Sequence, residues 1–76
     1  MVYSFDGHRY EVYEVAHEII GNKKRMEKLK SLHRRGERYE KLCGYITATC
    51  RELKIKLTEE EKDAARAFFW HRTKLI

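Results

Sequence analysis

The sequence predicts a mainly α fold, a small bundle of about four helices preceded by a short N-terminal β-hairpin or turn. Three observations carry this. Through the last two-thirds of the chain, apolar residues recur at the helical step of about 100° per residue. No proline and only four glycines interrupt them. The final apolar stripe is headed by Thr58 and, three residues on, Glu61, the form of a capping box. A chain of 76 residues, 42% hydrophobic and 38% charged, has room for one domain, residues 1–76, with one modest core.

The N-terminal stretch Val2-Tyr3-Ser4-Phe5, then Asp6-Gly7, then His8-Arg9-Tyr10 has the pattern of a tight hairpin, since Asp-Gly is a favoured two-residue turn. Val12, Tyr13, Val15, Ala16, Ile19 and Ile20 fit a short helix better than strand alternation. That helix is expected to end near Gly21-Asn22, leaving Asn22 free to cap the next. A second helix is expected over residues 23–35, with Met26, Leu29, Leu32 and His33 facing inward. Its stripe is out of phase with the one that follows, so a break is required, and Gly36 is the expected C-terminal cap. The third helix, residues 37–57, carries the most regular stripe: Tyr39, Leu42, Cys43, Ile46, Cys50, Leu53 and Leu57, flanked by Thr49. In the fourth, Glu59, Glu60 and Glu61 suit the positive end of the helix dipole. Ala64, Ala65, Phe68, Phe69, Leu75 and Ile76 share its inner face, with the Arg72 stem packed among them and its charge in water.

Several function classes find no support in these residues. The two serines, Ser4 and Ser31, lie in no nucleophile elbow, and neither a phosphate-cradling glycine loop nor a carboxylate pair outside ordinary helix positions is visible. The expectation is a protein that is not an enzyme and needs no cofactor. Cys43 and Cys50 would lie roughly 10 Å apart on one helix at a rise of ~1.5 Å per residue, too far for a disulfide. His8, His17, His33 and His71 are scattered singly, so no metal site is expected and the cysteines read as core filling. No apolar run reaches the ~20 residues of a membrane span, and the opening residues do not read as a signal peptide. A cytoplasmic location with reduced thiols is expected.

Charge is more informative. Twelve of the 17 basic side chains fall within residues 21–56, against four acids (Glu27, Glu37, Glu40 and Glu52), so this segment holds a net +8 in a chain of net +5. Such a concentration points to a polyanion partner, with nucleic acid foremost. On the helix over residues 23–35, Lys24, Lys28, Ser31 and Arg35 lie opposite the apolar stripe, flanked by Lys23, Lys30 and Arg34. Phosphate binding needs mobile cations and hydroxyl donors on one surface. Lys23, Lys24, Lys28, Ser31, Arg34 and Arg35 are therefore the candidate nucleic-acid contacts. A second set suits a different function, a protein–protein module (inhibitor or adaptor) docking on an acidic surface of a larger protein. Trp70 projects away from the Phe68/Phe69 stripe between Arg66 and Lys74, and Tyr45 lies at the edge of its own stripe. Trp70 also suits a stacking platform for a base.

The run Phe5-Asp6-Gly7-His8-Arg9-Tyr10-Glu11-Val12-Tyr13-Glu14-Val15-Ala16 resembles the opening of helix-turn-helix segments in phage proteins and homing-endonuclease tails. The shared features are an aromatic, a Gly-Lys-x-Tyr-like stretch and a Glu-Leu-Ala-like helix start. In that alignment Gly21 is the turn, Met26 and Leu29 are inward residues of the recognition helix, and Arg34-Arg35-Gly36 closes the motif. The resemblance covers residues 3–36. It departs from the family in the longer stretches before and after Gly21, and in Glu11, where Ser or Thr is usual. It implies a DNA-binding regulator or accessory factor of phage type, with the helix over residues 23–35 near the major groove.

Overall fold

A computed structural model describes residues 7–75, which form four helices: α1 (Tyr10–Ile20), α2 (Lys23–Ser31), α3 (Arg35–Leu53) and α4 (Glu59–Thr73). The described residues contain no strand. α1 is the central element and touches the other three helices, most extensively α4. It buries Val12, Val15, Ala16 and Ile19 completely. The rest of the core comes from Leu29 of α2, Leu42, Ile46 and Cys50 of α3, and Ala64, Ala65 and Phe69 of α4. The radius of gyration is 11.6 Å, close to the roughly 11 Å expected for a compact domain of this length.

The expected hairpin is not formed where the structure can show it. Tyr10, placed in the returning strand, is the first residue of α1, and His8 and Arg9 lie outside regular structure. The reason is local. The His8 backbone N–H donates to Tyr13 Oη (3.1 Å) and the Arg9 carbonyl accepts from the Val12 N–H (3.0 Å), so the helix start takes groups a β-ladder would need. The first strand and Asp6 lie outside the described residues. Gly7 keeps the turn character of its dipeptide, with φ at +82°.

Asn22 caps α2 as its position suggests, its Oδ1 accepting from the Arg25 N–H at 3.1 Å. The break between α2 and α3 lies at residues 32–34 rather than at Gly36. Leu32 and Arg34 are extended, and Gly36 is helical within the first turn of α3. No glycine is needed at the break because a side chain ends α2. Arg38 Nε donates to the carbonyls of Leu29 (3.0 Å) and Leu32 (2.7 Å), while its Nη1 donates to the carbonyl of Leu75 (2.6 Å). Cationic donors at a helix C-terminus satisfy its open carbonyls and oppose the dipole. His33, expected to face inward, lies in the extended link and is exposed.

α3 ends at Leu53, four residues earlier than the stripe suggests. Lys54 adopts a left-handed conformation (φ 57°), the Ile55 N–H returns to the Cys50 carbonyl (2.8 Å) and the Lys54 N–H to that of Arg51 (3.2 Å). This is the Schellman pattern. It turns Ile55 and Leu57 back against the core. α4 opens on the expected capping box, with the Glu61 N–H donating to Thr58 Oγ1 (3.1 Å) and the Thr58 N–H to Glu61 Oε1 (2.9 Å). Phe69 is fully buried, and Phe68 packs edge-on against Tyr13 (5.2 Å) and His17 (5.3 Å) with the Arg72 guanidinium over its ring (5.8 Å). Cys50 is buried, which raises its thiol pKa, whereas Cys43 is half-buried; both are free thiols.

Two further arginines tie elements together. Arg9 forks onto Glu61 (Nε–Oε2 2.7 Å, Nη2–Oε1 3.1 Å) and donates to the Lys56 carbonyl (2.6 Å), joining the start of α1 to the head of α4. Arg25 donates to Thr49 Oγ1 (2.7 Å) and Glu52 Oε2 (2.7 Å), joining α2 to α3 and satisfying the hydroxyl of fully buried Thr49.

Three outcomes follow from this packing. Arg38→Ala leaves three carbonyls without their charged donor and is expected to destabilise by about 2 kcal/mol, roughly 10 °C in Tm by thermal melting. Gly36→Ala meets nothing within 4 Å at its Cβ. It is expected to stabilise by about 0.5 kcal/mol, where a left-handed cap would have given a loss. The Arg9 hydrogen bonds, then the Thr58 N–H, lower the Glu61 carboxyl from 4.5 to about 2. A depressed carboxyl stabilises the fold above its unfolded value and loses that contribution as pH falls through the folded one. The Tm gap between wild type and Glu61→Gln should be widest above pH 4.5 and close towards pH 2.

Candidate nucleic-acid interface

Of the twelve basic residues within 21–56, Arg25 and Arg38 are consumed by the fold. The other ten are all exposed, namely Lys23, Lys24, Lys28, Lys30, Arg34, Arg35, Lys41, Arg51, Lys54 and Lys56. Among the described residues none of the ten forms an ion pair. The ion pairs that do form are made by Arg9, Arg25, Lys62 and Arg66, so the acids of the chain are spent largely outside the cationic segment.

The candidate contacts do not form one helical face. Lys23, Lys24, Lys28 and Ser31 belong to α2 and span about 12 Å of its axis at ~1.5 Å per residue. Arg34 and Arg35 do not continue that helix; Arg34 is the N-cap of α3 and Arg35 its first residue. The first turn of α2 contains no acid, so Lys23 and Lys24 stand at the positive end of the helix dipole without local compensation. Lys28 is less free. It lines a recess of about 400 Å³ with Leu32, Glu37, Glu40 and Lys41, where two carboxylates oppose its field. The Ser31 hydroxyl donates to the Lys28 carbonyl (2.7 Å), so its proton is already engaged.

Arg35 lies elsewhere. It lines a groove of about 310 Å³ with His33, Arg38, Trp70, Lys74 and Leu75, between the α2–α3 link and the C-terminal end of α4. Among the described residues no Asp or Glu lines this groove. Trp70 is 41% exposed there, with the Lys74 ammonium 5.8 Å from its ring centroid. The structure thus joins Arg35 to Trp70 and Lys74, residues that the sequence assigns to two different functions.

The remaining partner candidates turn inward. Arg66 pairs with Asp63 and stands 5.3 Å from the Tyr39 ring centroid, its side chain only 15% exposed. Tyr39, expected in the buried stripe, is 45% exposed and serves as the platform for that guanidinium. Tyr45 is half-buried between Arg25 (5.2 Å) and Lys41 (5.7 Å) at the α2–α3 seam. Neither Arg66 nor Tyr45 is a free anchor for a partner. His33, Arg38 and Leu75 are groove residues absent from the sequence assignment. Nothing local marks them, since the groove exists only where the extended link meets the end of α4.

No helix among the described residues is long and apolar enough to cross a membrane. In comparisons with protein-family models, curated proteins and solved structures, the chain matches none.

Proposed function

We propose that the protein binds nucleic acid, DNA in the first instance, as a small regulatory or accessory factor. The observation that carries this reading is the set of ten exposed cations within residues 21–56, none of them ion-paired among the described residues. Unneutralised cations on a small domain repel one another, and a phosphate backbone relieves that repulsion while releasing its condensed counterions. Lys23, Lys24, Arg34 and Arg35 are the principal contacts. Lys28 contributes less because of Glu37 and Glu40. The resemblance of residues 3–36 to helix-turn-helix segments supports the same reading, with α1 and α2 joined through Gly21-Asn22 and α2 presented to the major groove.

The second reading, a module docking on an acidic protein surface, rests on Trp70 and Lys74, since Arg66 and Tyr45 are engaged within the fold. The cations of α2 and the head of α3 are more numerous than such docking at the end of α4 requires, which favours the polyanion.

Fluorescence anisotropy with a labelled mixed-sequence duplex at several salt concentrations tests the reading. The expected log–log slope of affinity against salt is about −4, one step of about −0.9 for each phosphate neutralised. Lys24→Gln and Arg34→Gln should each flatten the slope by about 0.9, whereas Lys62→Gln, on the Glu59 side of the molecule, should leave it unchanged. A salt-independent slope, or equal effects of all three variants, would sink the assignment.

A further inference from the structure

We infer that the groove between the α2–α3 link and the end of α4 holds an unpaired nucleotide, its base stacked on Trp70 and its phosphate held by Arg35 and Lys74. The inference rests on the nucleic-acid reading and adds to it a preference for single strands at this site. Four features converge. The groove gathers Arg35, Arg38, Lys74 and His33 around one ring, and among the described residues no Asp or Glu lines it, whereas the neighbouring recess at Lys28 holds Glu37 and Glu40. Its volume of about 310 Å³ lies at the small end of the ~300–1,000 Å³ typical of ligand sites, a scale suited to one nucleotide and not to a duplex. Trp70 is 41% exposed at the end of a helix whose Phe69 is fully buried and whose Phe68 packs on Tyr13 and His17, so the core is filled by those two rings. Lys74 is held beside it by the backbone: its left-handed conformation (φ 59°) ends α4, its N–H donating to the Trp70 carbonyl at 2.7 Å.

An indole ring can stack only on a base whose face is uncovered. In a duplex both faces of each base are occupied, so the groove selects strand ends, loops or melted segments. The Lys74 ammonium stands over the ring, 5.8 Å from its centroid, and its flexible stem lets it leave that face to a base. Lys74 can follow the phosphate while the base takes the ring face, the combination of electrostatic and stacking contacts that single-strand binders use. Arg38 is already committed to three carbonyls, so it shapes the groove and adds field while Arg35 and Lys74 make the contacts.

Trp70 is the sole tryptophan of the chain, so its emission reports this groove alone. The full chain is titrated with a fluorescein-labelled oligothymidylate of about 12 nucleotides, a size within the ~4–16-nucleotide sites of single-strand binders. A duplex of equal length is titrated alongside, with anisotropy read on the label and emission on Trp70. The single strand should quench Trp70. Trp70→Ala should weaken single-strand binding roughly tenfold, the loss of one stacked base, and leave duplex binding within about twofold. Trp70→Phe, which keeps a ring, should recover part of the loss. Should Trp70→Ala fail to fold, quenching in the unaltered chain and Lys74→Gln, which should weaken single-strand binding and leave duplex binding within about twofold, decide the matter. Single-strand binding seen by anisotropy with Trp70 emission unchanged would remove the groove from the interface and leave the nucleic-acid reading standing. No anisotropy change with either oligonucleotide would remove that reading itself. Quenching by poly-glutamate as strong as by oligothymidylate would make an acidic peptide the occupant and overturn the stacking assignment.

Discussion

The Arg38 guanidinium is the constraint around which the lower half of the molecule is arranged. It is donated from α3, ends α2 by binding the carbonyls of Leu29 and Leu32, and fixes the residues after α4 through Leu75. α2 has little else to hold it, since Leu29 is its one fully buried residue and most of its surface is lysine and arginine. A nine-residue helix of that composition is too short to persist alone in water. Its order is tertiary, supplied by the Leu29 and Met26 contacts, by Arg25 on Thr49 and Glu52, and by Arg38 at its end. The same guanidinium forms part of the groove that Trp70 and Lys74 line. The element that displays the cations and the recess that gathers them therefore depend on one side chain.

A division of labour among the basic residues follows. Arg9, Arg25 and Arg38 each reach two or three acceptors outside their own segment of the chain. A planar fork of donors suits that task, and an ammonium on a flexible stem does not. The lysines within residues 21–56 stay exposed and, among the described residues, form no ion pair, where flexibility and hydration suit a mobile contact to phosphate. Net charge alone does not separate these roles. Two of the twelve cations counted in the sequence are structural, yet the segment remains strongly positive because one of its four acids, Glu52, is itself tied to Arg25.

The groove changes the relation between the two sequence readings. From the sequence, the α2 cations mark a nucleic-acid contact, while Trp70 suits either a docking anchor or a stacking platform. In space Arg35, Trp70 and Lys74 share a recess that offers charge and an exposed ring together, as the proposed single-stranded ligand requires. The other members of the partner set, Arg66 and Tyr45, are engaged in internal cation–π contacts. A cation–π pair on a partly exposed surface contributes on the order of 0.5–1 kcal/mol, so these contacts stabilise the helix seams and leave Trp70 as the exposed aromatic of the basic groove.

What the sequence determined by itself is the part governed by local physics. Helical periodicity located all four helices, Asn22 and the Thr58/Glu61 box fixed two helix starts, and the inward positions of α1 and of the middle of α3 follow from apolar spacing. The exposure of Lys24 and Lys28, opposite the apolar stripe of one helix, and of Lys23 on its flank is legible in the same way. Tertiary structure decided whatever depends on a distant donor or on an unfavoured backbone state. Gly36 is the local choice for a helix stop, but the carbonyls at the end of α2 are taken by Arg38, six and nine residues away, and the break falls before the glycine. Lysine gives no signal for a left-handed cap, yet Lys54 takes that conformation because Ile55 and Leu57 gain burial by turning back onto the core. The groove is non-local in the same sense: 35 residues separate Arg35 from Trp70, and only the packing of α3 and α4 brings them to one surface.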